Sequence, residues 1–396
     1  MNKNLENLFA IASKKHRLII GLMSGTSLDG LDVALCGISG YGINTKLELL
    51  KFETIQYDEE TKVRIKEVFA KPQVDLIKLT NLNSWIGILH GKIVLKCLEK
   101  WKVSVSSVDC IASHGQTVMH VPSFLNPYFP VNSTLQIGDG DHIATTTGIM
   151  TISDFRQKHI ATGGQGAPLA VYLDYILCSS QTENRILLNI GGIANFTFLP
   201  MANNSKSVFV TDTGPGNTLI DQTVYYHFNE YFDRDAKRAK AGLVHDGFLK
   251  ALKSDAFFQL PFPKTTGPEL FNLEYLLKAQ RQSNSENLSY SDVLATLTRF
   301  SAETIVSSIR QVVKNHQFVI YVSGGGAHNP LLMNWLKELL GVSELHRTFE
   351  IGIDGDAKEA ILFAVLANET IVGEKIEFNV SSNIPTVQMG KISFPD

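Results

Sequence analysis

The chain has 396 residues, 44% of them hydrophobic and 19% charged, with a formal net charge of −3. This composition provides enough apolar side chains for a large core and predicts two domains or one large domain. Lysine and arginine are scattered, so no basic block indicates a surface for nucleic acid or anionic lipid. No stretch reaches the about 20 apolar residues of a membrane span, and residues 1–18 lack the apolar run of a signal peptide. We therefore expect a cytoplasmic protein without nucleic-acid or membrane partners.

The four cysteines lie far apart in the sequence, and none belongs to a CxxC motif; they are Cys36, Cys97, Cys110 and Cys178. Each of them is surrounded by apolar residues. The pattern favours buried free thiols over disulfide bonds or a zinc site.

The first part of the chain alternates between strand and helix patterns. Leu5, Leu8, Phe9 and Ile11 lie near one side of an N-terminal segment, as in an amphipathic lead-in helix. The patterns then predict, in chain order, strands over 17–23, 31–38 and 45–57, helices over 59–70 and 74–101, a strand over 108–115, and a helix over 166–180 with Pro168 in its first turn.

A second cycle of the same kind begins at Arg185. The sequence predicts two strands over 185–200 joined at Gly191-Gly192, a strand over 207–214, mostly helical structure over 218–314 with a Pro-rich break at 260–268, a strand over 317–325 and a final helix over 357–371. The order strand, turn, strand, strand, then helices and strands therefore occurs twice, without a residue-level repeat at a fixed period. This duplication predicts an α/β architecture.

The first two strands are joined by the segment GLMSGTSLDG, which indicates an anion site. Gly25 and Gly30 relieve restrictions on φ and ψ, and Ser24, Thr26 and Ser27 offer hydroxyls within one turn. Backbone N–H groups and hydroxyls that converge at a hairpin tip form a nest suited to phosphate.

Two carboxylates follow the hydroxyls in this segment. Asp29 and Asp32 are placed to hold Mg²⁺ through water, because Mg²⁺ keeps much of its hydration. The alternative interpretation of the whole segment is a Gly/Ser hairpin with a capping aspartate.

Three further turns have similar chemistry, and each follows a predicted strand. They contain Gly191 and Gly192; Asp212, Gly214, Gly216 and Asn217; and Gly324, Gly325 and Gly326. Bare backbone lets a phosphate or a flat ring approach closely, and the helix after the last of these turns adds positive potential at its N-terminus. The motifs GxxxxGK[ST] and GxGxxG are both absent. Four such turns in two duplicated α/β lobes are typical of the actin/hexokinase/Hsp70 plan, in which two hairpin turns hold the nucleotide phosphates.

The base for phosphoryl transfer is predicted at Asp154, just past a strand. Phosphorylating a hydroxyl requires a carboxylate that takes its proton. We expect a turn after Asp154 that lets Arg156 reach phosphate or substrate, and a Gly-rich turn with Gly166 then leads into a helix. His114 and Gln116 offer polar groups in the same lobe for hydroxyl recognition. The alternative interpretation of Asp154 is a helix cap or an ion pair with Arg156.

Several segments together form a specific signature over residues 19–368. In chain order they are GLMSGTSLDGLDVAL, SHGQT, LQIGD, DFR…GGQGAPL, LLNIGGIANFT, DTGPGNTLID, PKTTGPELFN, VSGGGAHNPLLM and KEAILFAVLA. In this order they resemble the anhydro-N-acetylmuramic acid kinase family.

The resemblance implies an ATP- and Mg²⁺-dependent enzyme that acts on 1,6-anhydro-N-acetylmuramic acid, a product of peptidoglycan turnover. Water would open the anhydro bridge at C1, and the freed O6 would take the γ-phosphoryl group, giving N-acetylmuramate 6-phosphate. Asp154 would activate the water. The resemblance also implies a homodimer in a bacterial cytoplasm.

The site residues implied by position fall into two groups. The phosphate loop comprises Gly25, Thr26, Ser27, Leu28, Asp29, Gly30, Leu31 and Asp32. The candidate substrate residues are His114, Gln116, Arg156, Gly166 and Glu359, and Glu359 is also the next candidate for the base.

The fold expected from pattern and resemblance together is two duplicated ribonuclease H-like α/β lobes, the actin/hexokinase/Hsp70 ATPase fold, with a nucleotide cleft between them. The first lobe would comprise 1–182 and 356–396, with the phosphate loop, the sugar site and a returning C-terminal helix. The second lobe would comprise 183–355, with the second phosphate turn and the adenosine site.

The chain departs from the family pattern at two positions near the substrate segments. The family motif DFRxxD has His159 here in place of its second acid, and the motif PKSTGRE has Pro268 in place of its arginine. The alternative function is therefore a kinase of another anhydro-sugar, such as levoglucosan. A third interpretation, a non-catalytic sugar or nucleotide sensor, is disfavoured because Asp154 and the complete GTSLDG loop are retained.

Overall fold

The chain folds into two compact units, each with its own sheet and core. The computed structural model describes residues 2–26, 28–123, 126, 128–313, 317–352, 355–378 and 384–396. One unit is Met1–Leu177 with Asp356–Asp396, and the other is Cys178–Gly355. The sequence predicts boundaries at 182/183 and 355/356, and the roles assigned to the two lobes stay predictions.

Strands and helices alternate along the chain. The strands are β1 (His16–Ser24), β2 (Gly30–Ser39), β3 (Lys46–Gln56), β4 (Cys110–Val121), β5 (Ser133–Ile137), β6 (Thr151–Ser153), β7 (Arg185–Ile190), β8 (Ile193–Leu199), β9 (Phe209–Pro215), β10 (Val319–Ser323), β11 (His346–Arg347) and β12 (Lys391–Ser393). The helices are α1 (Lys3–Ser13), α2 (Glu59–Lys66), α3 (Leu76–Trp101), α4 (Gly140–Thr147), α5 (Phe155–Ala161), α6 (Ala170–Cys178), α7 (Thr218–Phe228), α8 (Asp246–Leu252), α9 (Leu273–Gln282), α10 (Tyr290–Val313), α11 (Pro330–Leu340) and α12 (Lys358–Val372).

The sheet of the first unit has the order β12-β6-β4-β1-β2-β3, and β5 pairs with β4. β1, β2 and β3 are joined by antiparallel pairs. β4 runs parallel to β1, and β6 runs parallel to β4. The central strands are therefore buried on both faces, which explains why β1 is a nearly continuous apolar run in the sequence.

Two helices cover the two faces of β1. Ile20 and Leu22 belong to a buried cluster with Ile86 of α3, and each such side chain contributes roughly 1.5–3 kcal/mol by its burial. Gly21 faces α12, where a Cβ would lie 1.9 Å from the carbonyl oxygen of Ala360. Only glycine lets the C-terminal helix approach β1 this closely.

The sheet of the second unit has the order β11-β10-β7-β8-β9. β7, β8 and β9 form an antiparallel meander, and β10 and β11 continue the sheet in parallel. Ile186, Phe196 and Ile305 lie in a buried cluster between this sheet and α10 and α11. A second buried cluster joins α7, α8, α9 and α10.

The two sheets share one strand order, β3-β2-β1-β4-β6 in the first unit and β9-β8-β7-β10-β11 in the second. In each, an antiparallel meander passes into parallel strands through crossover helices. The predicted α/β class and the duplication are confirmed: each unit has one mixed sheet with the same strand order, as the actin/hexokinase/Hsp70 plan predicts.

Several local predictions can be compared with the structure. The helix predicted over 166–180 is wrong at its start, because α6 begins at Ala170 and Pro168 lies before the helix. The strand predicted over 108–115 continues to Val121, where β5 pairs with it. The lead-in helix is confirmed as α1, and α5 begins directly after Asp154. All four cysteines are buried and free, as predicted.

The helices give no sign of a membrane span. Among the residues that the structure describes, none forms a helix long and apolar enough to cross a bilayer.

Candidate active site

The turn between β1 and β2 is held by one buried side chain and by close backbone packing. Leu28 has a φ of 60°, and its side chain is buried in the core of the first unit. A Cβ on Gly30 would lie 2.3 Å from the carbonyl oxygen of Ile55 on β3, so only glycine fits there. Ser27, which the sequence assigns to the same loop, lies outside the described residues.

The other residues of this turn divide into exposed and buried groups. Thr26 and Asp29 are exposed and Gly25 is half-buried, whereas Leu31 is a core residue. The carbonyl oxygen of Asp29 accepts a hydrogen bond from the N–H of Tyr57 at 3.0 Å. The tip of the hairpin therefore presents backbone and polar groups to solvent while its base is anchored.

Asp32 stands among other acidic groups. Burial raises the pKa of Asp32, a hydrogen bond from Thr54 at 2.6 Å opposes this, and the carboxylates of Asp356 and Asp29 raise the pKa further. Among the described residues, no group of three or more His, Cys, Asp or Glu side chains has the arrangement of a metal site made by protein alone.

Asp154 presents a carboxylate to a cavity. Its φ is 57°, in the left-handed region that few residues other than glycine adopt. The side chain makes no capping bond to α5. It is 35% exposed, and its Oδ2 lies 2.9 Å from Nζ of Lys391. With His114, Gly115 and others it lines a cavity of about 430 Å³, a size that small ligands fill.

Arg156 is held by two hydrogen bonds that do not involve Asp154. Its Nε donates to Nε2 of His114 at 2.8 Å, and its Nη1 donates to the carbonyl oxygen of Gly166 at 2.7 Å. Nδ1 of His114 lies 2.9 Å from the carbonyl oxygen of Gly115, so the ring carries its proton on Nδ1 and accepts at Nε2. Burial lowers the pKa of His114 well below its ordinary value, and the charge on Arg156 lowers it further.

Glu359 lies in the first turn of α12 and is coupled to two of these groups. Its side chain is exposed, although neighbouring protein atoms partly shield its carboxylate from solvent. Burial raises the pKa of Glu359, the charge on Arg156 lowers it in part, and the carboxylate of Asp32 raises it. The charge of Glu359 is thus felt by both Asp32 and Arg156, and Arg156 is hydrogen-bonded to His114 and Gly166.

The two departures from the family pattern lie in different surroundings. His159 is buried, and its Nδ1 accepts a hydrogen bond from the N–H of Gly166 at 3.0 Å. Burial lowers the pKa of His159 to about 4, so the neutral ring supports the glycine turn from inside. Pro268 is exposed.

Gln116 is buried, and all its amide bonds go to protein groups. Its Nε2 donates to the carbonyl oxygens of Gly25 and Thr117, both at 3.1 Å. Its Oε1 accepts from Oγ of Ser24 at 2.6 Å. Both amide hydrogens of Gln116 are therefore bonded within the protein, and neither remains to donate to the substrate that the sequence predicts as its partner.

In the second unit, two of the predicted turns are joined by backbone hydrogen bonds. The carbonyl oxygen of Gly191 accepts from Asn217 at 2.9 Å, and that of Gly192 accepts from Gly216 at 2.8 Å and from Thr218 at 3.0 Å. A Cβ on Gly216 would lie 2.4 Å from the Gly191 oxygen. These bonds satisfy N–H groups at the start of α7, and they join the two turns to each other.

The third turn, with Gly324, Gly325 and Gly326, packs against the end of β7. Gly324 has a φ of 83°, and a Cβ there would lie 2.6 Å from the carbonyl oxygen of Ile190. A Cβ on Gly326 would lie 2.3 Å from Cγ2 of the same residue. A Cβ on Gly325 would meet only Nδ2 of Asn217, at 3.8 Å. Two of these glycines are thus required by packing, and the middle one faces open space.

A cavity of about 420 Å³ opens beside this turn. Its lining consists of Asn217, Ile220, Asp221, Gly325, His328, Asn329 and residues 232–235. Burial raises the pKa of Asp221 to about 6, and the guanidinium of Arg234 lies 5.6 Å from the centre of the Phe232 ring. Sequence reasoning missed residues 232–235 because they carry no motif, and it missed Asp221 because this residue, although the last of the segment DTGPGNTLID, lies beyond the glycine turn.

Asp212 fixes the segment that contains PKTTG. Its Oδ2 accepts from the N–H of Thr266 at 2.8 Å, and its own N–H donates to the carbonyl oxygen of Lys264 at 3.0 Å. Burial raises the pKa of Asp212 to about 6. Gly214, two residues later, has a φ of 136°.

The sequence is similar to known proteins over nearly its whole length. The family described as anhydro-N-acetylmuramic acid kinase matches residues 17–388. Anhydro-N-acetylmuramic acid kinase of Pseudoalteromonas atlantica is 55% identical over 401 residues, and that of Caldanaerobacter subterraneus subsp. tengcongensis is 40% identical over 401 residues. The alignments cover 100% and 98% of this chain and 100% of each relative.

Among solved structures, the chain is similar to the activator of the 2-hydroxyisocaproyl-CoA dehydratase from Clostridium difficile with bound ADPNP. The TM-score is 0.40 at 11% identity, over 89% of this chain and 95% of that one. A likeness at this level carries no argument about function. The matches in sequence over the full length show that the chain belongs to the anhydro-N-acetylmuramic acid kinase family.

Proposed function

We propose that the protein is an ATP-dependent kinase that opens 1,6-anhydro-N-acetylmuramic acid and phosphorylates it in peptidoglycan recycling. Water adds to C1 of the sugar, and the bond between C1 and O6 breaks. The O6 oxygen then forms a bond to the γ-phosphorus of ATP as ADP leaves. The products are N-acetylmuramate 6-phosphate and ADP.

The observation that carries the proposal is the carboxylate of Asp154 in its cavity. A water that attacks C1 needs a base within hydrogen-bond reach. Asp154 is free of a capping bond, and its ion pair is with Lys391, whose side chain is mostly exposed. Because an exposed pair is screened by solvent, Lys391 holds the carboxylate only weakly and leaves it accessible to a water in the cavity.

His114 and Arg156 are proposed to bind the sugar or the transferred phosphoryl group. The neutral His114 ring is locked by Arg156, and the guanidinium is locked in turn by Gly166. Locked side chains lose little entropy when a ligand binds. We therefore assign them a positioning role beside Asp154, with Glu359 balancing the charge of Arg156.

We propose turns that contact nucleotide phosphate for each unit by itself. In the first unit these are the exposed groups of the β1–β2 turn, and in the second they are the joined turns at Gly191, Gly192, Gly216 and Asn217. The cavity beside Gly325 is proposed to bind adenosine, with Phe232 against the base and Asp221 as acceptor for ribose hydroxyls.

Mg²⁺ is proposed to bind at the acidic end of the hairpin. Asp32 and the exposed Asp29, the latter through water, are the residues that would hold it. Burial and the neighbouring carboxylates raise the pKa of Asp32, so a bound cation would stabilise the charged form of this side chain. When bound, Mg²⁺ neutralises charge on the phosphates.

The proposal includes a cytoplasmic location, because ATP is supplied there. Cell fractionation should recover the activity with a cytoplasmic marker enzyme and not with the cell envelope.

The activity is tested with purified protein, ATP and Mg²⁺ and a panel of anhydro-sugars, read by ADP release. We expect the fastest turnover with 1,6-anhydro-N-acetylmuramic acid and slow turnover with levoglucosan. Faster turnover with levoglucosan would assign a different substrate, and no ADP above background with any sugar would overturn the kinase.

The adenosine site is tested at Gly325. The Cβ of a leucine there would meet only Nδ2 of Asn217, at 3.8 Å, so Gly325→Leu should weaken ATP and adenosine binding with little change in stability. Gly324→Ala is the contrasting variant, because its Cβ meets the backbone of Ile190 and should lower the unfolding midpoint. Equal adenosine affinity in Gly325→Leu and wild type would move the site elsewhere.

A further inference from the structure

A chain of buried hydrogen bonds runs from α3 to the tip of the β1–β2 hairpin. Nε2 of His90 lies 2.7 Å from the Tyr57 hydroxyl, which donates to Oγ of Ser24 at 2.9 Å. Ser24 donates to Oε1 of Gln116 at 2.6 Å, and Nε2 of Gln116 donates to the carbonyl oxygen of Gly25 at 3.1 Å. Tyr57 is 5% exposed, and the other three side chains are fully buried.

The hydrogens in this series of hydrogen bonds can be assigned so that each group donates to the next one, from His90 to the carbonyl oxygen of Gly25. If His90 carries its proton on Nε2, each hydroxyl accepts one bond and donates its one hydrogen, and both amide hydrogens of Gln116 are used. The hydrogen of Ser24 goes to the nearer acceptor, Oε1 of Gln116 at 2.6 Å, and not to the carbonyl oxygen of Gly30 at 3.0 Å. The opposite tautomer leaves an N–H at Nδ1, for which the described residues provide no partner, and a buried orphan donor is costly. Burial also lowers the pKa of His90 to about 3, so the ring is neutral.

The last bond of the chain sets the orientation of one peptide. In a trans peptide the C=O and the N–H point in opposite directions. Since Gln116 draws the carbonyl of Gly25 inward, the N–H of the exposed Thr26 points outward. Within the described part of the chain, no group accepts from that N–H.

We propose that Gln116, braced by Ser24, Tyr57 and His90, is a positioning residue that aims the Thr26 N–H at a phosphate of the bound nucleotide. The inference rests on the proposed use of ATP. It replaces the substrate contact expected of Gln116, and it explains why a hairpin tip exposed to solvent is tied to four buried polar side chains. An N–H held in place beforehand binds an anion without a loss of loop entropy.

The test compares the affinities for ATP and adenosine, measured by calorimetry without sugar. Gln116→Met keeps the side-chain volume and removes both amide hydrogens. ATP affinity should fall by roughly 10- to 100-fold, the worth of one hydrogen bond to a charged group, and adenosine affinity should not change. Tyr57→Phe should lower the ATP affinity less, because Gln116 and Ser24 remain.

Tyr172→Phe is the matched control. Tyr172 is also a buried tyrosine of the first unit, and its hydroxyl donates to the carbonyl oxygen of Pro385. Its loss should lower stability while leaving the ratio of ATP to adenosine affinity as in wild type. A purely structural role of Gln116 would give the same pattern in Gln116→Met and would overturn the inference.

The remaining outcomes are also decisive. A raised KM for the sugar in Gln116→Met, with unchanged ATP affinity, would return Gln116 to the substrate site. If Gln116→Met does not fold, the Tyr57→Phe ratio decides, and an unchanged ratio overturns the inference. Wild type that binds ATP without turning over an anhydro-sugar overturns only the proposed reaction, and wild type that binds no ATP overturns both.

Discussion

Asp154 holds its carboxylate in a backbone conformation that costs about 1–3 kcal/mol for a residue with a side chain. Such strain persists where the surrounding structure fixes it, and it is concentrated at functional sites. Here β6 ends one residue before Asp154 and α5 begins one residue after it, so the conformation is set from both sides. The carboxylate is thereby kept off the helix end and directed into the cavity.

Asp154→Asn tests the base directly. The amide keeps the shape and removes the basic oxygen, so turnover should fall by about 10²–10⁴, while ATP and sugar binding persist. The measurement is ADP release at saturating substrates. Lys391→Met, which removes only an exposed ion pair, should change turnover by less than about 5-fold. An Asp154→Asn enzyme with more than a tenth of wild-type turnover would make Glu359 the next residue to replace.

Asp221 should make stability depend on pH in the second unit. Burial raises its pKa to about 6 from an ordinary value of 3.8, so the folded protein holds the proton more tightly than the unfolded chain. The charged form therefore costs stability above pH 6, and this cost disappears as the pH falls to 4. A rise in pKa from 3.8 to about 6 corresponds to about 3 kcal/mol, and solvent screening at this half-buried side chain reduces the effect. Asp221→Asn should therefore raise the free energy of unfolding at pH 8 by less than about 3 kcal/mol and change it little at pH 4.

Asp292 provides the opposite case for this measurement. Hydrogen bonds from the N–H of Leu243 and from Ser289 lower its pKa, so the charged form stabilises the fold above its ordinary pKa. Asp292→Asn should therefore lose stability at pH 8, where Asp221→Asn gains it. Urea unfolding at pH 8 and 4 measures both. The same sign for the two variants at pH 8 would contradict the assignment.

At the scale of elements, the close approach of α12 to β1 joins the chain's C-terminal helix to its first strand. Gly21→Ala would place a Cβ 1.9 Å from the backbone of Ala360, and backbone cannot turn aside as a side chain can. We expect the free energy of unfolding to fall by at least about 1–3 kcal/mol. Urea unfolding provides the value.

Gly37→Ala on β2 is the matched substitution. Its Cβ would meet the ring of His16 at 2.7 Å, and an exposed side chain can rotate away. The loss of stability should be clearly smaller than for Gly21→Ala. Equal losses would mean that the strands, and not the contact with α12, set the cost.

At the scale of the whole molecule, the resemblance implies a homodimer, which we retain as a proposal. The chain has a mass of 43.8 kDa, so light scattering after gel filtration should give twice that mass at micromolar concentration. The chain mass itself, independent of concentration, would show a monomer.

Much of the fold and part of the site can be predicted from the sequence alone, because the signals are local. Hydrophobic period distinguishes strands from helices within about ten residues, and glycine turns after strands mark places where backbone comes close to other atoms. The repeated order of elements then predicts the duplicated α/β fold. Gly216 and Gly324 belong to such turns, and a Cβ on them would lie 2.4 Å and 2.6 Å from a backbone oxygen. A Cβ on Gly191 would lie 3.6 Å from its nearest neighbour, the carbonyl oxygen of Ile193, which is an ordinary contact.

The tertiary structure alone decided the partners of the polar side chains. Asp154 pairs with Lys391, 237 residues away, and Arg156 turns to His114 instead of Asp154. Gln116 is bonded to the hairpin, and the cavity with Asp221 also contains Phe232, which belongs to no motif. Charges and amides have no periodicity that records their partners, since a hydrogen bond is formed by whichever groups the packed strands and helices bring within about 3 Å.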